Sequence, residues 1–174
     1  FVNAFNKYDS NYSLYFVDYL HSYNECKEAA LEIATLANVN EVFFYSHCAG
    51  SAVAMQILSI IEIEGLCKIK HYIAGGSIPP KKPSAQNMWH TVPNVVLEHI
   101  LIKSGANFKG LEKTQVKAML RSFRKDTDFL TEYLYNSNYK INCPVSLVMS
   151  KTDRFTKDYK NAEKLWNRYV NKIH

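Results

Sequence analysis

The strongest constraint in this sequence is a compact β-branched and aromatic run, Glu41-Val42-Phe43-Phe44-Tyr45, followed at once by Ser46-His47-Cys48-Ala49-Gly50 and then by a helical pattern. The run reads as a buried strand. From Ala49 to Glu64, Val53, Met55, Ile57, Leu58, Ile60 and Ile61 recur with the spacing of a mostly buried helix, and Gly65 suits the left-handed residue that ends one. Ile69 to Ala74 alternates as a second strand, and Gly75-Gly76-Ser77-Ile78-Pro79-Pro80 reads as the loop leaving it. Strand, sharp turn, helix, strand demands a parallel sheet with helices on its faces.

The turn itself has the form small-x-nucleophile-x-small. Small flanking residues are expected because the nucleophile of such a turn sits in strained backbone where larger side chains would collide with strand and helix. The geometry lifts the Cys48 sulfur above the sheet. It also leaves the Ala49 N–H at a helix N-terminus, where it can hold a developing oxyanion and where the helix dipole favours thiolate. His47, beside the nucleophile, points elsewhere and is expected to pack. The sheet resumes at Pro144-Val145-Ser146-Leu147-Val148-Met149, and Ser150-Lys151-Thr152-Asp153-Arg154 follows it. A carboxylate there can orient a histidine in the chain order nucleophile, acid, histidine. Asp153 is therefore the candidate acid. Asp126 and Asp128 fall in the helical middle and read as surface or capping residues, and Asp18 precedes the nucleophile.

The rest of the chain frames this core. Phe1 to Phe5 reads as a short strand, and Ser22-Tyr23-Asn24-Glu25 as a capping box opening a helix whose stripe is Cys26, Ala29, Ala30, Ile33, Leu36 and Ala37. Between Lys81 and Asn142 helical pieces are expected at Val95 to Ile102, Thr114 to Phe123 and Asp126 to Tyr135, making a lid over about 83–140 inserted between two strands. A last helix is expected from Tyr159 to Val170. With 174 residues the chain is read as one domain, residues 1–174. Cys26, Cys48, Cys67 and Cys143 form no metal-ligand or disulfide pattern, so no metal and a reducing cytoplasm are expected. No stretch has the ~20 apolar residues of a membrane span, and the N-terminus lacks the pattern of a secretory signal. The net charge of +5 reads as Lys and Arg spread along the chain, with neither a nucleic-acid-binding signature nor a membrane role.

Val42 through Gly50 resembles the strand and GHSxG elbow of the α/β-hydrolase thioesterases that serve nonribosomal peptide and polyketide synthases, especially the stand-alone type II enzymes. Ile73 to Pro79 resembles their next strand and loop. Ser122-Phe123-Arg124-Lys125-Asp126-Thr127-Asp128-Phe129-Leu130-Thr131-Glu132-Tyr133 is similar to a lid segment with recurring Arg, Asp and Tyr. Cys143 to Asp153, with Trp166 and Tyr169, is similar to the acid strand, loop and following helix. This resemblance implies an α/β-hydrolase fold with a helical lid and a thioesterase or acyltransferase in which Cys48 attacks a carrier-bound thioester. It implies that Ala49 N–H holds the oxyanion and that a histidine oriented by Asp153 moves protons. No bound cofactor is implied; the substrate would arrive on the phosphopantetheine arm of an acyl or peptidyl carrier protein. Met88, Trp89, Phe108 and Phe123, with Leu111 and Leu120, are candidate lining for the acyl chain, and Lys81 and Lys82 for contact with the carrier or its phosphate. An esterase or lipase for free small esters and a noncatalytic carrier-binding relative are the alternatives.

Two departures from the family stand out: Cys48 replaces the usual serine and Ser46 the usual glycine. The family also begins with a strand and oxyanion loop not found before Phe1, and carries its histidine well beyond the Trp-bearing helix. The chain is therefore expected to be incomplete at both ends, with its catalytic histidine elsewhere. His174 follows Trp166 too closely for that role, and His21, His71, His90 and His99 match no family position.

Overall fold

The computed structural model describes residues 12–18, 20–37, 41–79, 88–136, 139–153, 156 and 158–174. The expected strand at Phe1 to Phe5, the Lys81–Lys82 pair and Arg154 lie outside the described residues. Helix α1 spans Tyr23–Leu36 and is capped by Ser22, whose Oγ accepts the Glu25 N–H at 3.2 Å. The reciprocal arm of the capping box is displaced by one residue. The Glu25 carboxylate takes the N–H of His21 at 2.8 Å and the Ser22 hydroxyl at 2.9 Å. These bonds, the His21 N–H foremost, hold the Glu25 carboxyl below its usual pKa.

Strand β1 (Val42–His47), helix α2 (Gly50–Glu64) and strand β2 (Ile69–Gly75) form the expected unit, and β3 (Val145–Val148) pairs parallel to β2. The sheet order among the described strands is β1-β2-β3. β1 is not the fully buried strand its composition suggests. Phe43 and Tyr45 are about half exposed while Ser46 is buried, because alternate side chains of β1 point to opposite faces of the sheet and only one face is well covered. α2 carries the centre of the core. Ala52, Ile57, Leu58, Ile60 and Ile61 are almost wholly buried, and α1, β1 and the lid helix all pack on it. Gly65 ends it at φ +63°, as its position suggests.

The lid region contains a 3₁₀ turn at Met88–His90, helix α3 (Asn94–Lys103) and helix α4 (Lys113–Asn136). The two pieces expected from Thr114 to Phe123 and from Asp126 to Tyr135 are one continuous helix. Arg124 and Lys125 interrupt the apolar pattern, but both are good helix formers, and nothing in them breaks the backbone. The last helix is shorter than expected. After a 3₁₀ turn at Tyr159–Asn161, α5 covers only Ala162–Trp166. The chain then lies beside the sheet entry, with parallel bridges Ile141–Val170 and Val145–Ile173. β-branched Val170 and Ile173 are captured by unpaired backbone groups around β3, which outweighs the local helical spacing.

One carboxylate joins lid and core. Glu62, near the end of α2, accepts the N–H groups of Asn142 and Cys143, both at 2.8 Å, together with the Tyr139 hydroxyl at 2.8 Å. It fixes the chain where it leaves the lid for β3. Burial foremost, reinforced by the Glu62 charge, pushes the Tyr139 hydroxyl and the Cys143 thiol each up to about 12.

Candidate active site

Cys48 stands at the turn between β1 and α2 with φ +53°, the one described non-glycine residue with positive φ. That conformation disfavours L-residues by roughly 1–2 kcal/mol, so neighbouring contacts must impose it. The Cys48 N–H donates to Gly75 O at 3.0 Å, tying the turn to the end of β2. Its carbonyl accepts the Ser51 N–H at 3.2 Å and the Ser51 hydroxyl at 2.9 Å. Ser51 Oγ in turn shares a 2.7 Å bond with Ser77 Oγ, and the buried Trp166 indole donates to Ser77 O at 2.9 Å. Beneath the turn Ser46 Oγ bonds to Tyr72 Oη at 2.7 Å, both groups being buried. Serine is accommodated at this buried position because a phenol from the adjacent strand satisfies its hydroxyl.

The steric demand for glycine lies elsewhere than expected. A Cβ added at Gly50 would meet nothing within 4 Å, so the small flank after the nucleophile is not required by crowding. A Cβ at Gly75 would lie 3.0 Å from Tyr45 Oη, and one at Gly76, where φ is +55°, 2.8 Å from His47 Nε2. The His47 ring lies against Gly76 and is itself exposed.

Cys48 is exposed. Desolvation by the surrounding protein raises its pKa, the hydrogen bond from the Ala49 N–H opposes that, and the charges of Asp153 and Asp126 raise it further. The hydrogen bond from the Ala49 N–H favours thiolate, as expected of the helix N-terminus, but desolvation and the two carboxylates outweigh it and leave the thiol pKa above its ordinary value, so nucleophilic chemistry here needs a base.

Asp153 follows β3 in a loop held by Ser150 Oγ and Thr152 Oγ1 at 3.0 Å and by Thr156 Oγ1 donating to Ser150 O at 3.2 Å. Since the three strands are parallel, Cys48 and Asp153 leave the same edge of the sheet. The two loops are linked through Gly76, whose N–H donates to Val148 O at 2.8 Å. Asp153 also lines an open cleft of about 340 Å³ with Lys103, Ser104, Gly105, Ser150 and Thr152.

Asp126 is more than a surface residue. It is half-buried, accepts a 2.9 Å bond from or shares one with His21 Nε2, and its charge is felt at Cys48. Asp128 binds His90 Nε2 at 2.6 Å. These pairs join positions far apart in the chain, and only the recurring Asp of the lid segment could have drawn attention to either. Trp89 and Phe123 meet each other edge-to-face at 5.5 Å, and Arg124 donates to Trp89 O, Val92 O and Asn94 Oδ1 at 2.8–2.9 Å. Phe108 is half-buried, Leu120 buried and Leu111 partly exposed, while the Met88 side chain lies outside the described residues.

His174 sits at the other end of the sheet. Its N–H donates to Val145 O at the start of β3, and its ring is 6.0 Å from that of His71, which bonds Ser146 Oγ at 2.8 Å. His99 is exposed on α3. Among the described residues no cluster of His, Cys, Asp and Glu could hold a metal, and no helix is long and apolar enough to cross a membrane.

This architecture is the α/β-hydrolase fold, as comparison with solved structures shows. The RedJ thioesterase of the prodiginine pathway in Streptomyces coelicolor superposes with TM-score 0.68 at 17% identity over 87% of this chain and 59% of that one. YbtT, a type II thioesterase of the yersiniabactin NRPS/PKS pathway, gives TM-score 0.68 at 17% identity, covering 89% and 64%. Human thioesterase 2 gives 0.63 at 16%, covering 96% and 74%. The chain thus spans about three fifths of the length of the RedJ and YbtT structures. No protein-family model and no curated protein sequence matches it.

Proposed function

We propose that this chain belongs to an enzyme that cleaves or transfers an acyl or peptidyl group from a carrier-protein thioester through an acyl-Cys48 intermediate. The observation that carries the reading is the turn: Cys48 is forced to φ +53° between a parallel strand and a buried helix, with the Ala49 N–H at its sulfur. The similarity in fold to thioesterases of the prodiginine and yersiniabactin pathways supports the substrate class.

In this scheme Cys48 Sγ attacks the thioester carbonyl, and the carbonyl π electrons move to oxygen, where Ala49 N–H helps hold them. The thiol proton passes to a histidine oriented by Asp153 and then to the departing pantetheine sulfur as its bond to the acyl carbon breaks. His174 is not placed for that task. Water, an amine or an alcohol then takes the acyl group, since a thioester remains activated. No bound cofactor is required, and the four free cysteines fit a reducing cytoplasm.

Intact mass spectrometry after incubation with an acyl-carrier thioester tests the proposal. The enzyme that contains this chain should gain the mass of the acyl group, and its Cys48→Ala variant should not. An adduct that persists in Cys48→Ala, or activity on simple esters with no adduct from carrier thioesters, would overturn it.

A further inference from the structure

The positive charge of this protein is concentrated, contrary to the even spread read from the sequence. From residue 103 to residue 125, seven Lys and Arg face the single acid Glu112, a local net of +6, while the whole chain carries +5. Four of the seven, Lys113, Lys117, Arg121 and Lys125, occupy every fourth position of α4, and all four are exposed. At 1.5 Å rise per residue they stand about 6 Å apart in a row roughly 18 Å long. Among the described residues no carboxylate pairs with any of them. Asp126 and Asp128, the acids of the same helix stretch, are bonded to His21 and His90.

Helix formation does not account for the row. Like charges at i,i+4 repel. Lys113 opens a helix whose first turn holds no acid, where the helix dipole disfavours a cation. Residues that flank the row in the chain do, however, reach the candidate site. Lys103, just ahead of it, lines the cleft with Asp153, and Lys125 at its far end adjoins Asp126, whose charge reaches Cys48.

The shape of the row selects among anionic partners. Ala118 and Ser122 leave small, exposed gaps between the cations. Met119 is the only exposed large apolar residue between Lys113 and Phe129, too little for a helix that beds into a bilayer. The same stretch exposes no aromatic platform on which bases could stack. An acidic α-helix with carboxylates at i, i+4 and i+8 repeats at the same spacing of about 6 Å.

We propose that the Lys113, Lys117, Arg121 and Lys125 row docks an acidic helix of a partner protein. That this partner is the carrier presenting the thioester rests on the function proposed above; the docking itself does not.

The two are separable by experiment. Binding is measured on Cys48→Ala, which needs no turnover, using a fluorescent helical peptide with Glu at every fourth position and an acyl carrier protein without cargo. The K113E/K117E/R121E/K125E variant should weaken binding of the peptide by at least about tenfold, and high salt should do the same to the unreversed chain. Should that variant lose its helical circular dichroism, K117Q/R121Q, which keeps helix propensity, should still weaken binding about threefold. Peptide binding untouched by these changes, or tighter salt-sensitive binding to duplex DNA or phosphatidylserine vesicles than to the peptide, would overturn the docking proposal.

With Cys48 intact, the reversal should lower kcat/KM for an acyl-carrier thioester while leaving that for a free acyl-pantetheine unchanged. Equal losses on both would overturn the row's role in carrier docking. Docking without any Cys48 acylation would leave the row standing and remove the proposed function.

Discussion

The elbow and the lid are held by opposite means. Around Cys48 the holding groups are mostly buried: besides the Cys48 to Gly75 bond there are Ser51 to Ser77, Ser46 to Tyr72 and Trp166 to Ser77. In the lid, exposed or half-exposed groups do the holding: the His21–Asp126 and His90–Asp128 pairs, the Arg124 fork and the Trp89–Phe123 contact. Buried hydrogen bonds cannot be exchanged for water without loss, so they fix a single geometry, whereas exposed pairs exchange at little cost. The contrast fits a rigid nucleophile turn under a cover that can adjust to what lies beneath it.

The seam between the two regions is where the largest effect is expected. Glu62→Ala should leave the N–H groups of Asn142 and Cys143 and the Tyr139 hydroxyl without their acceptor, and lower stability by about 3 kcal/mol in chemical denaturation. A loss below about 1 kcal/mol would mean that water replaces the carboxylate and that the lid is not anchored there.

Within the elbow, two glycines should behave differently. Gly76→Ala meets both a positive φ and the His47 ring and should cost about 2 kcal/mol. Gly50→Ala, in open space at a helix start, should be neutral or stabilising by up to about 1 kcal/mol. Equal costs at the two positions would show that the turn, not the neighbouring loop, sets the steric demand.

The smallest global effect belongs to the lid. Arg124→Lys cannot reproduce a fork that reaches Trp89 O, Val92 O and Asn94 Oδ1. It should change overall stability by less than about 1 kcal/mol, yet speed amide exchange in residues 88–94 without altering that of β1 or β2. Faster exchange in β2 as well would erase the distinction between the regions.

The sequence made β1, α2 and β2 legible because each is short, strongly patterned and bounded by turn residues. Cys48 and Asp153 followed from their places after strands, and the structure brings both to one edge of the sheet. What remained hidden depended on distant partners. The end of α5 is decided by the sheet's capture of Val170 and Ile173, and the exposure of Phe43 and Tyr45 by which face of β1 the rest of the fold covers. The continuity of α4 was obscured because an exposed helix face needs no apolar period. The Glu62 anchor and the His21–Asp126 pair join residues 80 and 105 positions apart, which no local pattern encodes.

The arrangement of Gly75 and Gly76 bears on how such a site drifts over evolutionary time. Of the glycines around the turn, the one inside the nucleophile's own pentapeptide has room for a Cβ, while the two at the end of the next strand do not. Substitutions to alanine should therefore be tolerated at the fifth position of the elbow and resisted at the glycine pair downstream. A search signature for this site would be bipartite, with one half around Cys48 and the other at Gly75-Gly76. A contiguous elbow pattern would give weight to Gly50, where the structure is tolerant, and pass over the place where it is not.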